Sequence, residues 1–363
     1  MSRTALADQV LTRAFRDELD QILHQHNRKV FSATKVIPRD CSVKTRKERR
    51  DNIRRAFAEL NQIGYRLTTP MSLKQKHLLK LGEYWQAKGL APKTLHGLFS
   101  NLRQFARWIG KRDLVEDIGM YCGGREHLVR KTAAEKDLSW EAQGIDVAKV
   151  LAEAKAIDER LWLYLSFQRY FGLRTRESIE LRIWRATALG DEHLYVTDGT
   201  KGGRHRIVPI RTDRQRELIA FARNLVGPHM NAQLRWRDKN WRQAQSHFYY
   251  LVRKLGVSHG QSGISPHGLR HGYLQDQFQH YAGMPAPIKG GDALPKDPLK
   301  YRQARLATSL EAGHFREAVT ASYCGSLGHK LRQVKQSNKT DGQDDLAEPT
   351  QESSNEEVEE ERN

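Results

Sequence analysis

The sequence predicts a mainly α-helical protein with one small β-hairpin, organised as an all-helical basic portion followed by a mixed α+β portion. Three observations predict it. Apolar residues recur every three to four positions through most of both halves, the signature of helices with one buried face. A single pair of β-rich runs, His193-Leu194-Tyr195-Val196-Thr197 and His205-Arg206-Ile207-Val208-Pro209-Ile210, brackets the turn Gly199-Thr200-Lys201-Gly202-Gly203. Gly123-Gly124 and the polar stretch Arg125 to Lys136 separate the halves as a linker.

The first helix is expected over 5–27, where Leu6, Val10, Leu11, Phe15, Leu19, Ile22 and Leu23 share a face. A basic stretch follows, containing Lys44, Arg46, Lys47, Arg49, Arg50, Arg54 and Arg55, and leads into a helix that runs to about Leu60. Another helix is expected from Ser72 to Lys88. The next opens at Pro92, whose fixed φ suits a first turn, and stripes Leu95, Leu98, Phe99, Leu102, Phe105, Ala106 and Ile109 along one side. Its other side carries Lys93, Arg103 and Arg107, with Lys111 and Arg112 just beyond; in so basic a segment these are read as phosphate contacts. The division is therefore 1–60, an N-terminal basic helical region; 61–122, a helical domain; 123–137, the linker; 138–340, the second domain; and 341–363, a tail. The second domain begins with a helix through Leu161, Trp162, Leu163, Leu165, Phe167 and Phe171, continues with the hairpin, and is mostly helical from 214 to 325. Residues 283–298, with four prolines and three glycines, break it as a loop.

Composition narrows the partner. The 363 residues carry a net charge of +18, unevenly spread. Residues 341–363 hold ten acids against Arg362, a net −9, so the body carries +27. Such a field attracts polyanions and gives salt-dependent phosphate binding. The tail has almost no apolar residues and is expected to be disordered, either as a plain solubilising segment or as a DNA mimic over the basic surface. Mean hydropathy is −0.72 and no apolar run reaches the ~18 residues of a membrane helix. Cys41, Cys122 and Cys324 are unclustered, which argues against disulfides or a zinc finger and suits a reducing cytoplasm.

Three short stretches carry chemistry: Gly172-Leu173-Arg174-Thr175-Arg176-Glu177, His267-Gly268-Leu269-Arg270-His271, and Gly313-His314 followed nine positions later by Tyr323. Breaking a phosphodiester needs an in-line nucleophile, charge neutralisation on the non-bridging oxygens and a proton for the leaving oxygen. Tyr323 offers a phenol as nucleophile, and its ordinary pKa near ~10 calls for cationic neighbours or a base. Arg174 and Arg270 supply guanidinium forks for the phosphate. His267 is the candidate proton shuttle for the tyrosine and His314 a further donor to a non-bridging oxygen. Glu177 reads as a partner of the arginines. Any of Lys201, Arg204 or Arg206 on the hairpin can touch a phosphate. His267 and His271, four apart, can also be read as a metal pair, but Gly268 stands where a zinc protease has its glutamate and no third ligand announces itself. Gly328-His329 repeats the Gly-His signal without a tyrosine at the right distance.

The joint order Arg…Lys…His-x-x-Arg…His…Tyr resembles that of the tyrosine recombinase (phage integrase) family. The resemblance implies a SAM-like helical core-binding domain, to which the N-terminal half is loosely similar, and a tyrosine recombinase catalytic domain over 138–340. It assigns Lys201 as the acid that protonates the leaving 5′-oxygen, and gives His271 a supporting role. It implies cleavage and rejoining of double-stranded DNA through a 3′-phosphotyrosine, without metal or cofactor, by an integrase of a mobile element. Also implied are a homotetramer on DNA, accessory DNA-bending proteins and a place in the bacterial cytoplasm at the nucleoid. The readings set against it are a type IB topoisomerase and a DNA-binding regulator that does not cut. One departure stands out: the interval from His271 to Gly313 is about twenty residues longer than the family's, and Lys289, Lys296, Lys300, Arg302 and Arg305 make it basic enough to contact DNA or another subunit.

Overall fold

The computed structural model describes residues 9–29, 40–291 and 295–328. The acidic stretch 341–363, His329 and the start of the first expected helix lie outside the described residues. The chain forms two compact units that divide between Lys131 and Thr132, inside the segment read as the linker.

In the first unit, α1 (Arg13–His26) starts at Thr12, whose hydroxyl accepts the Phe15 N–H, and α2 (Val43–Gln62) starts at Ser42 in the same way. The helix expected at Ser72 begins later: Pro70–Ser72 form a single 3₁₀ turn, and α3 runs Gln75–Ala87 after His77 Nδ1 accepts the Lys74 N–H. The fourth helix, α4 (Pro92–Trp108), opens on the proline as the sequence predicts. One core joins all four. Phe57 of α2 meets Phe15 of α1 edge-on at 5.1 Å and Phe105 of α4 at 5.3 Å, and Leu19, Leu78, Leu81 and Leu98 fill the space around them. The expected boundary at residue 60 falls inside this shared core. Among the described residues, α1 and α2 bury their apolar faces against each other and in the same core as α3 and α4.

The second unit contains α5 (Val147–Ile157), α6 (Glu159–Tyr170), the short α7 (Thr175–Glu180), the antiparallel pair β1 (His193–Val196) and β2 (Arg206–Pro209), α8 (Asp213–Val226), α9 (Trp241–Lys254), α10 (His267–Ala282), α11 (Pro298–Glu311) and the single turn α12 (Ala321–Cys324). His193 pairs with Pro209 and Val196 with Arg206. Helix α6 is buried nearly all round, which explains why its sequence shows no amphipathic stripe. Helix α10 is its central neighbour and likewise hides most of its side chains. In the long interval after α10, Ala286 and Pro287 are buried, and Ile288 lies against Gly325 at the end of α12. The segment therefore packs beside Tyr323.

Candidate active site

Glu177 organises the site. It stands in the first turn of α7, fully buried, and its carboxylate accepts the Arg174 main-chain N–H at 2.7 Å and the Arg174 guanidinium at 2.7 Å. Arg206, pointing inward from β2, adds a two-pronged contact at 2.8 and 2.7 Å. Burial works to raise the pKa of Glu177, but Arg206, Arg270 and Arg174 outweigh it and take the group down to about 2. It is ionised at every physiological pH.

Arg206 therefore corrects one expectation. Its side chain is 2% exposed and held by Glu177, so it supports the site and is not a DNA contact. Two half-buried residues of the first unit also bond within their own domain. Arg103 donates to the carbonyls of Val115 and Glu116, and Lys111 to those of Met71 and Leu73, so both close loops within their own domain. Lys93 and Arg112 are exposed and Arg107 is half-buried.

Arg270 has no exposed surface. It donates from its two terminal nitrogens to the carbonyls of Gly172 and Ala312, and burial lowers its pKa to about 10, which leaves it cationic at neutral pH. The Ala312 carbonyl also accepts from Arg174 at 3.0 Å, so one peptide oxygen gathers two arginines. Gly313 must follow without a side chain: its φ is +71°, and a Cβ there would stand 3.2 Å from Arg206 Cδ. His314 comes next, with Nε2 3.2 Å from an Arg174 nitrogen. A guanidinium only donates, so Nε2 accepts and the ring proton sits on Nδ1. Burial, then Arg174 and Arg270, lower the His314 pKa to about 4. Beneath this loop Glu311 fixes the end of α11 by accepting from Tyr273 and Arg211, both at 2.7 Å, and from Tyr281.

Tyr323 is 8% exposed, and its ring centroid lies 5.6 Å from the Arg270 guanidinium carbon. The rings of His271 and His267 approach it at 4.9 and 6.1 Å. His267 is exposed at the start of α10, and desolvation at the site, then His271 and Arg270, hold its pKa below the ordinary imidazole value. His271 is buried and pushed down to about 4 by that burial. Both rings are neutral at pH 7. No group of three His, Cys, Asp or Glu suited to holding a metal occurs among the described residues.

Lys201 is exposed at the hairpin tip, in the 3₁₀ turn Lys201–Gly203. The turn is pressed onto the start of α7, where a Cβ on Gly199 would come within 2.6 Å of the Arg176 carbonyl oxygen. Arg204 reaches over the exposed ring of Phe315, next to His314, at 5.8 Å. The structure thus brings together Arg174, Glu177, Arg270, His267, His271, His314 and Tyr323, with Lys201 and Arg204 on the nearby hairpin. Sequence reasoning missed Gln275 and Asp137. Gln275, one turn beyond His271 on α10, donates to Asp137 at 2.8 Å and to the Tyr323 carbonyl at 3.1 Å. Its position four residues after His271 was the available signal.

The family model described as Integrase matches residues 132–276, and the one described as Phage integrase, N-terminal, matches 32–115. The first match stops where the lengthened interval begins. No curated protein sequence matches the chain. Among solved structures, a lambda integrase dimer bound to a COC′ core site is similar at TM-score 0.53 and 14% identity, over 88% of this chain and 79% of that one. An integrase of the transposon Tn1549, in complex with a circular intermediate DNA, gives 0.53 and 15% over 89% and 99%. The XerH recombinase on a palindromic difH substrate gives 0.50 and 15% over 82% and 81%. At these identities the likeness is one of fold.

Proposed function

From the premise that this chain belongs to the phage integrase family of tyrosine recombinases, and is a site-specific recombinase that cleaves and rejoins DNA, we propose the following roles for its residues. Tyr323 attacks the scissile phosphate. The Tyr323 oxygen–phosphorus bond forms as the bond to the 5′-oxygen breaks, leaving a 3′-phosphotyrosine and a free 5′-hydroxyl. Neutral His267 accepts the phenolic proton, which an imidazolium would be unable to do. Lys201, on the exposed turn, gives the 5′-oxygen its proton. Arg174 and Arg270 neutralise the non-bridging oxygens, joined by the Nδ1–H of His314. Glu177 and Arg206 hold Arg174 in place, and His271 packs the tyrosine. Rejoining runs the same steps backwards with an incoming 5′-hydroxyl.

The observation that carries this reading is the contact of the Tyr323 ring with a buried, cationic Arg270, in a nest of two neutral imidazoles. It also supports an order of events. Arg270 has no exposed surface, so the ring has to turn aside for a phosphate to reach the guanidinium. Family membership supports a double-stranded DNA partner, four protomers on two recombination sites, and accessory proteins that bend the DNA. Lys93, Arg107 and Arg112 of the first unit and Arg204 of the hairpin are assigned to phosphate backbone contacts. Tyr323→Phe tests the nucleophile: on a nicked suicide substrate it should bind DNA as wild type does and form no covalent adduct. Adduct at the wild-type level would sink the assignment.

A further inference from the structure

The backbone that carries Tyr323 is tied to the segment by which the chain enters its second unit. Two hydrogen bonds make the connection. The Ala134 N–H donates to the Ala321 carbonyl at 2.8 Å, at the first residue of α12. The Gln275 amide nitrogen donates both to Asp137 Oδ1 and to the Tyr323 carbonyl. Asp137 is itself fixed, since the same oxygen accepts the Ser139 N–H at 2.9 Å, and its carbonyl accepts from Gln143 at 2.8 Å. Gln275 is 1% exposed, and its carbonyl oxygen is buried without a hydrogen-bond partner. Leaving that acceptor unsatisfied is costly, so the amide is held in this orientation by two acceptors that both demand its N–H groups.

We propose that Asp137, acting through Gln275, is a positioning residue for the nucleophile, and that Ala134, Asp137 and Gln275 together hold the main chain of 321–323 while the Tyr323 side chain turns. The inference rests on Tyr323 being the nucleophile. A four-residue helix has too few internal hydrogen bonds to fix its own direction. In-line attack tolerates little misplacement, and an error of about 1 Å can lower the rate about 10²-fold. The ties reach the carbonyls of α12 and leave the phenol free, which suits a side chain that has to leave Arg270 before it attacks.

The test is single-turnover adduct formation by the full-length protein on a suicide substrate, with non-covalent DNA affinity and Tm measured alongside. Asp137→Ala should cut about tenfold more slowly, and Gln275→Glu, which replaces both N–H donors by a carboxylate, about 10²-fold more slowly. DNA affinity should stay within about twofold, since neither residue is assigned to a phosphate. A substrate with a bridging 5′-sulfur needs no proton for its leaving group. It should restore Lys201→Ala and leave Asp137→Ala slow. The pair Asp137→Asn with Gln275→Glu reverses one donor and acceptor, so it should recover Tm and not rate. The proposal is overturned by wild-type or faster cleavage in Asp137→Ala, by rescue on the sulfur substrate, by a loss that follows Tm or DNA affinity, or by full recovery of rate in the pair. Tyr323→Phe run in parallel separates the two readings. Adduct in that variant removes the nucleophile assignment, whereas its absence, with unimpaired Asp137→Ala, removes only the positioning role.

Discussion

Glu59 in the first unit and Glu177 in the second are each buried with more than one cationic partner, and the two clusters end differently. In the first unit Glu59, 3% exposed, accepts from the Trp85 indole at 2.7 Å, from Arg55 at 3.1 Å and from Lys88 at 3.3 Å. Its partners come from its own helix and from α3 and its end. In the second unit Glu177 takes Arg174 and Arg206 and leaves Arg270, which binds carbonyls, to face a tyrosine. The carboxylate neutralises part of the positive charge and the rest remains directed at the phenol. Both clusters hold more cations than anions, so the surplus alone does not make a site; the Glu177 cluster adjoins the Tyr323 phenol through Arg270, whereas the third partner of Glu59 is the Trp85 indole.

Truncating both glutamates should break this contrast open and gives the largest effect. Glu177→Ala leaves Arg206 and Arg270 buried with no counter-charge, which should cost about 3–5 kcal/mol. Cleavage should fall roughly 10²-fold or more, because Arg174 loses its anchor. Glu59→Ala strands the Trp85 N–H and should cost about 1–3 kcal/mol without changing the rate of the surviving folded protein. Urea denaturation together with single-turnover cleavage measures both. A comparable rate loss in the two variants would mean that Glu177 acts on stability alone.

How much of this was legible depends on the range over which each residue finds its partner. The stripe of α4 from Leu95 to Phe105 and the hairpin around Gly202 are local patterns, and the sequence shows them. The set of chemical groups was legible as an ordered list, since Arg174, His267, Arg270, His314 and Tyr323 meet as that order implies. Arg206 was not. On β2 it points inward while the apolar Ile207 points out, half exposed, which reverses the usual reading of an alternating strand. The reason is Glu177, 29 residues earlier, an acid that only the fold places beneath that strand. Asp137 was lost in the same way, because a polar stretch after Gly123-Gly124 looks like linker until Gln275, 138 residues on, is seen to hold it.

Acid should separate the two clusters next. Glu177 has its pKa depressed to about 2, so the stability it contributes is complete above about 4.5 and is lost as pH falls from there through 2. His271 and His314 are depressed to about 4 from an ordinary 6.5; the unfolded chain therefore gains protons first, and stability drops between those values as pH falls. Calorimetry from pH 7 to 3 should show Glu177→Gln losing the steep segment below about 4.5 and keeping the shallower one above it. Adduct formation measured from pH 8 to 5.5 should show no loss centred on 6.5, because His267 stays neutral through that window. A rate midpoint near 6.5 would mean that the accepting imidazole keeps an ordinary pKa, whereas an undiminished rate in His267→Ala would remove His267 as the proton acceptor.

The smallest effect is expected where the clusters look most alike, at a cation on each rim. Lys88 reaches Glu59 with a side chain 42% exposed, and solvent screens most of what that pair is worth. Lys88→Met should cost under about 1 kcal/mol, with cleavage and DNA affinity unchanged. Arg174, whose side chain is 19% exposed and also ion-paired, has the same outward appearance. It differs in donating to Glu177, to the Ala312 carbonyl and towards His314 at once, a geometry that a lysine cannot reproduce. Arg174→Lys should therefore leave Tm nearly as high as Lys88→Met does and slow cleavage by about 10². Equal rates in the two variants would erase the distinction between a cation that closes a core and one that faces a phosphate.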